Sequence, residues 1–247
     1  MIIGFVLIGG GAFAYLNFAN FAKQSMEKIA SHALGVPVKI SRLSMSLENK
    51  SVTVSGIRIS NPPGYKSKNA VEFGSVSVAL RNIPENADLV HLAAVEVSNT
   101  IVNLEVGKGS TNLQDLQKGM AKKPKSQKEK SAIKQPKIIL DRFHIDRSQL
   151  NPSVTLLGGE LSPVNVPPVT LKGIGKKEKG VLAKEAIIQV VQQYIGVASK
   201  QAEKSGYLQG VSTGAIDNVK QEIDKEIDNV TDAINDLGDN LGGLFGN

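Results

Sequence analysis

At 247 residues and a net charge of +6, the chain is long enough for one or two modest domains and carries no extreme overall charge. It has no Cys, which excludes disulfides, thiolate metal sites and cysteine nucleophiles. Aromatic residues make up only 4% and Trp is absent, so the apolar mass is aliphatic and suits strands and aliphatic surfaces.

The chain opens on an apolar run. Met1 to Ala22 holds no Asp, Glu, Lys, Arg or His. As a helix it spans about 33 Å, enough for a bilayer core. The expected anchor contacts are Ile2, Ile3, Phe5, Val6, Leu7, Ile8, Phe13 and Leu16. A cleaved signal peptide competes with this reading, because Ala12-Phe13-Ala14 fits a small-x-small cleavage pattern; no basic residue precedes the run, however. Lys23 and Lys28 follow it, and by the positive-inside rule alone that would leave the body in the cytoplasm.

Residues 23–35 read as a juxtamembrane helix. Phe21, Met26, Ile29, Ala30, Ala33 and Leu34 have helical spacing, and Gly35 with Pro37 ends it. Strands follow over 36–106 and again over 137–175. Six segments share one spacing: two apolar residues one apart, a two-residue gap, and two more one apart. They begin at Val38, Val52, Val71, Val90, Ile138 and Val164. Each half reads as a strand with one apolar face. The odd residue between halves would turn the second half over unless a β-bulge absorbs it, so a long, curved, antiparallel sheet with bulged strands is expected. Its apolar side would carry Val38, Ile40, Val52, Val54, Ile57, Val71, Phe73, Val76 and Val78. Asn61, Pro62, Pro63 and Gly64 make a loop, since neither proline can donate to a ladder.

Residues 107–136 interrupt the repeat, with a short helix over Asn112 to Met120 and then a Lys-rich run. From Lys108 to Lys137 there are nine Lys, with no Arg and no aromatic for base reading or stacking, so nucleic acid is not the expected partner. Residues 180–247 read as two helices. The first covers Val181 to Lys204. The second is amphipathic, with a stripe of Val219, Ile223, Ile227, Val230, Ile234, Leu237 and Leu241 at a mean spacing of about 3.7 and acids on its other face. The fold class expected is α+β, mainly β: an N-terminal transmembrane helix, one long sheet and two C-terminal helices.

No catalytic constellation is visible. His32, His91 and His144 are far apart and lack metal-ligand spacing, and no cofactor motif is found. Gly173-Ile174-Gly175-Lys176-Lys177 superficially resembles a phosphate loop, but the spacing and the following Ser or Thr are missing. Asp141, Arg142, Asp146 and Arg147 are expected to decorate the polar side of one strand. An enzyme is therefore not expected.

The order of these features resembles the N-terminal region of the AsmA-like proteins of bacterial envelopes. The residues that carry the resemblance are the apolar start, Leu34-Gly35-Val36-Pro37-Val38-Lys39-Ile40, the strand Ser51 to Ile59, the loop Asn61-Pro62-Pro63-Gly64-Tyr65 and the strand Val71 to Leu80. To these add Pro168 to Gly175, followed by Ala183 to Ile187. The resemblance covers roughly residues 1 to 190. It implies a single inner-membrane anchor, a periplasmic body, a taco-like sheet related to bridge-like lipid-transfer proteins, and a role in phospholipid transport or outer-membrane homeostasis. The chain is short for that family: about nine strands give a groove of about 40 Å. Membrane lipid is the expected partner. The alternative is a scaffold whose sheet closes on itself, with the stripe from Val219 to Leu237 binding an envelope protein.

Overall fold

The structure is a computed structural model. It describes residues 12–46, 48–82, 88–107, 109–121, 136–154, 159–160 and 162–208, with side chains from Asn20 onward except at 121, 154, 159 and 160. Anchor residues Ile2, Ile3, Phe5, Val6, Leu7 and Ile8 lie outside the described residues, as do most of the Lys-rich run and the whole stripe from Val219 to Leu241.

Helix α1 (Ala12–Leu34) runs unbroken through the expected anchor boundary and includes Phe13 and Leu16. Ala22, Ile29, Ala33 and Leu34 are buried, whereas Phe21, expected on the same apolar face, is 54% exposed. Gly35 ends the helix at φ +69, its N–H donating to the Ser31 carbonyl (3.0 Å). Four strands follow: β1 (Val38–Ser46), β2 (Ser51–Ser60), β3 (Asn69–Leu80) and β4 (Leu89–Val106). Helix α2 (Asn112–Ala121) comes next, with Leu113, Leu116 and Met120 buried. A capping box starts it: the Gln114 N–H donates to Thr111 Oγ1 (3.2 Å) and the Thr111 N–H to Gln114 Oε1 (2.9 Å). Strands β5 (Lys137–Ile145), β6 (Ser148–Val154), β7 (Gly159–Glu160), β8 (Val164–Val166), β9 (Val169–Ile174) and β10 (Val181–Leu182) precede α3 (Ala183–Lys204).

The fold is mainly β, as the repeat predicts, but the sheet is mixed. Strands β1 to β4 form an antiparallel meander, whereas β5 and β6 both run parallel to β4. The expectation of an antiparallel sheet fails here for a topological reason. A parallel neighbour needs a long crossover, and the excursion over 107–136 supplies it by returning the chain to the end where β4 began.

Most of the two-residue gaps behave differently from the bulges expected, but the one in β4 does not: Ala79↔Ala94 is followed by Leu80↔Leu92, so Ala93, inside the gap of Val90/Leu92/Val95/Val97, is the extra residue expected. In the β1–β2 ladder, Ile40↔Ile57 is followed by Arg42↔Ser55. Ser55↔Ser75 is followed by Ile57↔Phe73 in β2–β3, and Phe73↔Thr100 by Ser75↔Ser98 in β3–β4. Ser41, Gly56, Gly74 and Asn99 are thus left out of successive ladders, side by side, with no change of register. From β1 to β3 neighbouring strands carry the same gap opposite one another, so no residue is inserted there relative to a partner. A further register shift falls at Ile59/Ser60, near the end of β2.

This seam continues across the sheet. β5 and β6 keep one offset against β4 (Val97↔Ile145, Ile101↔Gln149), framing Asp146-Arg147. Ile145↔Val169 and Ser148↔Val166 frame Pro167-Pro168 in the same way. Two of its positions need special backbone. Gly56 has φ +65, and a Cβ there would lie 2.6 Å from Ser41 Oγ. Asn99, with φ +54, adopts the left-handed region that Asn tolerates better than most residues. Turning the chain by one residue at the seam keeps the apolar halves on one face. Ile40, Val52 and Val54 form a core cluster with Leu43, Met45, Ile57, Val76 and Val78 packed around it, residues from both sides of the break.

Three mutually touching helices lie on this face: α1 over β1, α2 over the end of β4, and α3 over β5, β6, β8 and β9. Tyr194 of α3 is 1% exposed, and its ring sits 6.2 Å from that of Phe73. Burial pushes the Tyr194 hydroxyl up to about 12, with the nearby Ser148 hydroxyl acting weakly against it.

Candidate functional site

The expected apolar face divides into two parts. Val38, Ile40, Ile59, Val71, Val102 and Leu104 are at most 4% exposed and belong to the core beneath the helices. Past the seam, Val52 and Val54 remain buried, but Leu43, Met45, Val76 and Val78 around them are only partly so. Among the described apolar side chains of the helices, Met26 is the one that packs on this cluster. Of the nine groove residues predicted, Val38 and Val71 are therefore core, Phe73 packs on Tyr194, and Val76 and Val78 line the less covered patch.

Strand β1 is an edge of the sheet, and α1 guards half of it. The Val38 N–H donates to Ser31 Oγ (2.8 Å) and the Ile40 N–H to Glu27 Oε1 (2.7 Å). Lys23 Nζ approaches the Ser41 carbonyl at 3.5 Å. Positions 23, 27 and 31 recur every four residues, so one helix face supplies partners that a neighbouring strand would otherwise give. Between α1 and the β1–β2 hairpin, at the seam, lies an open cleft of about 700 Å³ lined by Asn20, Lys23, Gln24, Glu27, Lys39, Ile40, Ser41 and Arg58.

The loop at Asn61, Pro62, Pro63 and Gly64 does not line this patch. It is clamped to the end of β4 and to α2. Glu105, 1% exposed, accepts the Lys66 N–H on both carboxylate oxygens (2.8 and 2.9 Å) and the Ser67 N–H on Oε2 (2.8 Å). Asn112 Nδ2 donates to Asn61 Oδ1 and to the Asn103 carbonyl, both at 2.7 Å. The Tyr65 hydroxyl donates to Asp115 Oδ2 (2.6 Å); burial, then that hydrogen bond, pushes it up to about 12. Burial alone would raise the Asp115 carboxyl, but hydrogen bonds from Tyr65, Lys118 and Ser110 outweigh it and hold the group below its usual range. The sequence pointed to the loop but not to Glu105. A single acid inside an alternating strand gives no signal until its partners, some forty residues away, are in place.

Asp141 was expected on the polar side of one strand. It lies in β5 and is also the hub of an ionic cluster. Arg81 pairs with it, and His91 Nε2 and Lys176 Nζ each lie 3.0 Å from Oδ1. Hydrogen bonds from Arg81 first, then His91 and Lys176, hold its carboxyl well below the usual carboxylate range. A carboxyl depressed on folding adds stability above its unfolded value near ~3.9, and that stability is lost as pH falls below it. The melting temperature of the wild type should therefore fall more steeply than that of Asp141→Asn as pH drops from about 5 to about 3. Equal slopes in calorimetry would show that the cluster contributes nothing. Arg142 pairs with Glu96, and His144 lies 3.3 Å from Asp146.

Among the described residues no three His, Asp or Glu side chains are placed to hold a metal ion, and no helix is long and apolar enough to cross a membrane. Comparison with protein families, with characterised proteins and with solved structures found no match to this chain.

Proposed function

We propose that this chain is an AsmA-like, inner-membrane-anchored protein of the bacterial envelope whose sheet binds phospholipid acyl chains, in a periplasmic body, as part of lipid transport or outer-membrane homeostasis. The reading involves no bond-making step and no cofactor. One observation carries it: the partly buried patch of Leu43, Met45, Val76 and Val78, continuous with the buried Ile40, Val52 and Val54. Acyl chains suit such a surface because it is aliphatic and extended and, beyond the seam, offers no side-chain donor. Each methylene removed from water there contributes about 0.8 kcal/mol. In this proposal the sheet is curved into a short taco-like groove around the lipid.

Native mass spectrometry of the full chain, released from bacterial membranes in mild detergent, tests this. Phospholipid adducts should appear on the wild type and fall at least about tenfold in Val76→Asp, because a carboxylate among acyl chains is left unsolvated. Val76 is the better site than Val54, which at 1% exposure is core and would damage the fold. Adducts undiminished in a folded Val76→Asp protein would end the proposal.

The competing reading is a scaffold. The three helices that cover much of the face support it. A lipid-free mass for a folded wild type would favour it and turn attention to a protein partner of the Val219 to Leu237 stripe.

A further inference from the structure

The cleft between α1 and the β1–β2 hairpin has a charge arrangement that the apolar patch does not explain. Lys39 and Arg58 are directly paired in the β1–β2 ladder, and both are exposed. Like charges directly opposite each other destabilise a sheet unless an anion lies between them. Among the described residues, neither is within ion-pair distance of a carboxylate. Arg58 has Glu72 as its neighbour in β3, but no ion pair joins them. Lys23, from α1, reaches only the Ser41 carbonyl at 3.5 Å. The one carboxylate lining the cleft, Glu27, is already committed to the Ile40 N–H at 2.7 Å. Lys23, Lys39 and Arg58 thus all line one open space. Ile40 lines that space and also belongs to the apolar cluster.

We propose that Lys23, Lys39 and Arg58 form a binding site for the phosphate group of an anionic lipid at the β1 edge; Lys39 and Arg58 stand on the face opposite Ile40, so the acyl chains pass round that edge, beyond the seam, to reach Val76 and Val78. This rests on the acyl-binding reading above and names the headgroup chemistry it takes. A guanidinium and two ammonium groups match a phosphate monoester or diester, and the open cleft leaves room for the rest of the headgroup.

Dioleoyl phosphatidate and dioleoylglycerol differ only in the phosphate, so they separate the headgroup from the chains. Both are offered in equal amounts to the full chain in detergent, and adducts are counted by native mass spectrometry. The wild type should prefer phosphatidate by at least about tenfold, since a basic side chain near an anionic headgroup is worth about fivefold. In K39A/R58A the preference should fall towards one while dioleoylglycerol binding is unchanged. K137A/K172A, which removes exposed cations elsewhere, should keep it. A preference that survives K39A/R58A, or a wild type with none, overturns the headgroup site and leaves the acyl reading standing. Binding of neither lipid overturns both. Inorganic phosphate alone, followed by its ³¹P line width, is the third arm. Broadening that K39A/R58A abolishes, without phosphatidate preference, would assign the cleft to a soluble phosphate and overturn the lipid site.

Discussion

Replacing Glu105 with Ala is expected to destabilise the protein by about 3 kcal/mol. The carboxylate is 1% exposed and accepts two backbone N–H groups, with the Lys66 N–H shared between its oxygens. Charge-assisted bonds of this kind are stronger than neutral ones, and removing the acceptor leaves buried donors with nothing to replace it. The loss does not stop at the loop. The Glu105 N–H donates to Asn112 Oδ1 (2.8 Å), and Asn112 in turn holds Asn61 and opens α2. Glu105→Gln keeps one acceptor oxygen and points an amide donor at a backbone donor, so about 2 kcal/mol is expected. Urea denaturation of the full chain reads both. A loss under about 1 kcal/mol for the Ala variant would mean that the loop is not held by this carboxylate.

Gly175→Val is expected to be at least as severe, again about 3 kcal/mol or more. Gly175 has φ +71, which already costs an L-residue about 1–2 kcal/mol. A Cβ there would also stand 2.4 Å from the Ile138 carbonyl oxygen and 3.0 Å from the Val181 backbone nitrogen, neither of which can move without breaking a strand pair. The Gly180 N–H donates to the Gly175 carbonyl (2.8 Å), closing the turn that sets β10 on β5 and launches α3. The proper control is Gly64→Ala. Its φ is +100, but nothing lies within 4 Å of the new atom, so only the backbone term of about 1 kcal/mol should appear. Similar melting temperatures for the two variants would show that the Gly175 turn yields easily and is not what positions α3.

Much of the sheet was legible because period and spacing are local properties. The repeated pair-gap-pair pattern located the strands, and Gly35 with Pro37 located the end of α1. How the gaps are accommodated was legible in β4, where Ala93 is the inserted residue, but not in β1 to β3. A gap read in one strand suggests an inserted residue. Only the neighbours show that Ser41, Gly56, Gly74 and Asn99 stand side by side, so that the whole ladder turns together. Parallel pairing of β5 with β4 was hidden for the same reason, since strand direction depends on where a crossover returns. The candidate patch was half legible. Ile40, Val52, Val54, Ile57, Val76 and Val78 pack into one cluster, but periodicity does not say which apolar residues the helices cover. Val71 therefore looked the same as Val78, although one is core and the other only partly buried. The cationic cleft was missed, although Lys39 and Arg58 were both visible, because their meeting depends on the β1–β2 register.

The central claim is that acyl chains occupy the sheet face beyond the seam. It is tested most directly by placing a diazirine amino acid at single positions of the full chain in living bacterial membranes, irradiating, and weighing the products. Val78, on the apolar side, is compared with its neighbour Ser77, which points to the other side of the same strand. The account predicts phospholipid-mass crosslinks at position 78 and none above background at 77. Equal labelling at both, or protein crosslinks alone at 78, would contradict it and place a polypeptide where the lipid is proposed.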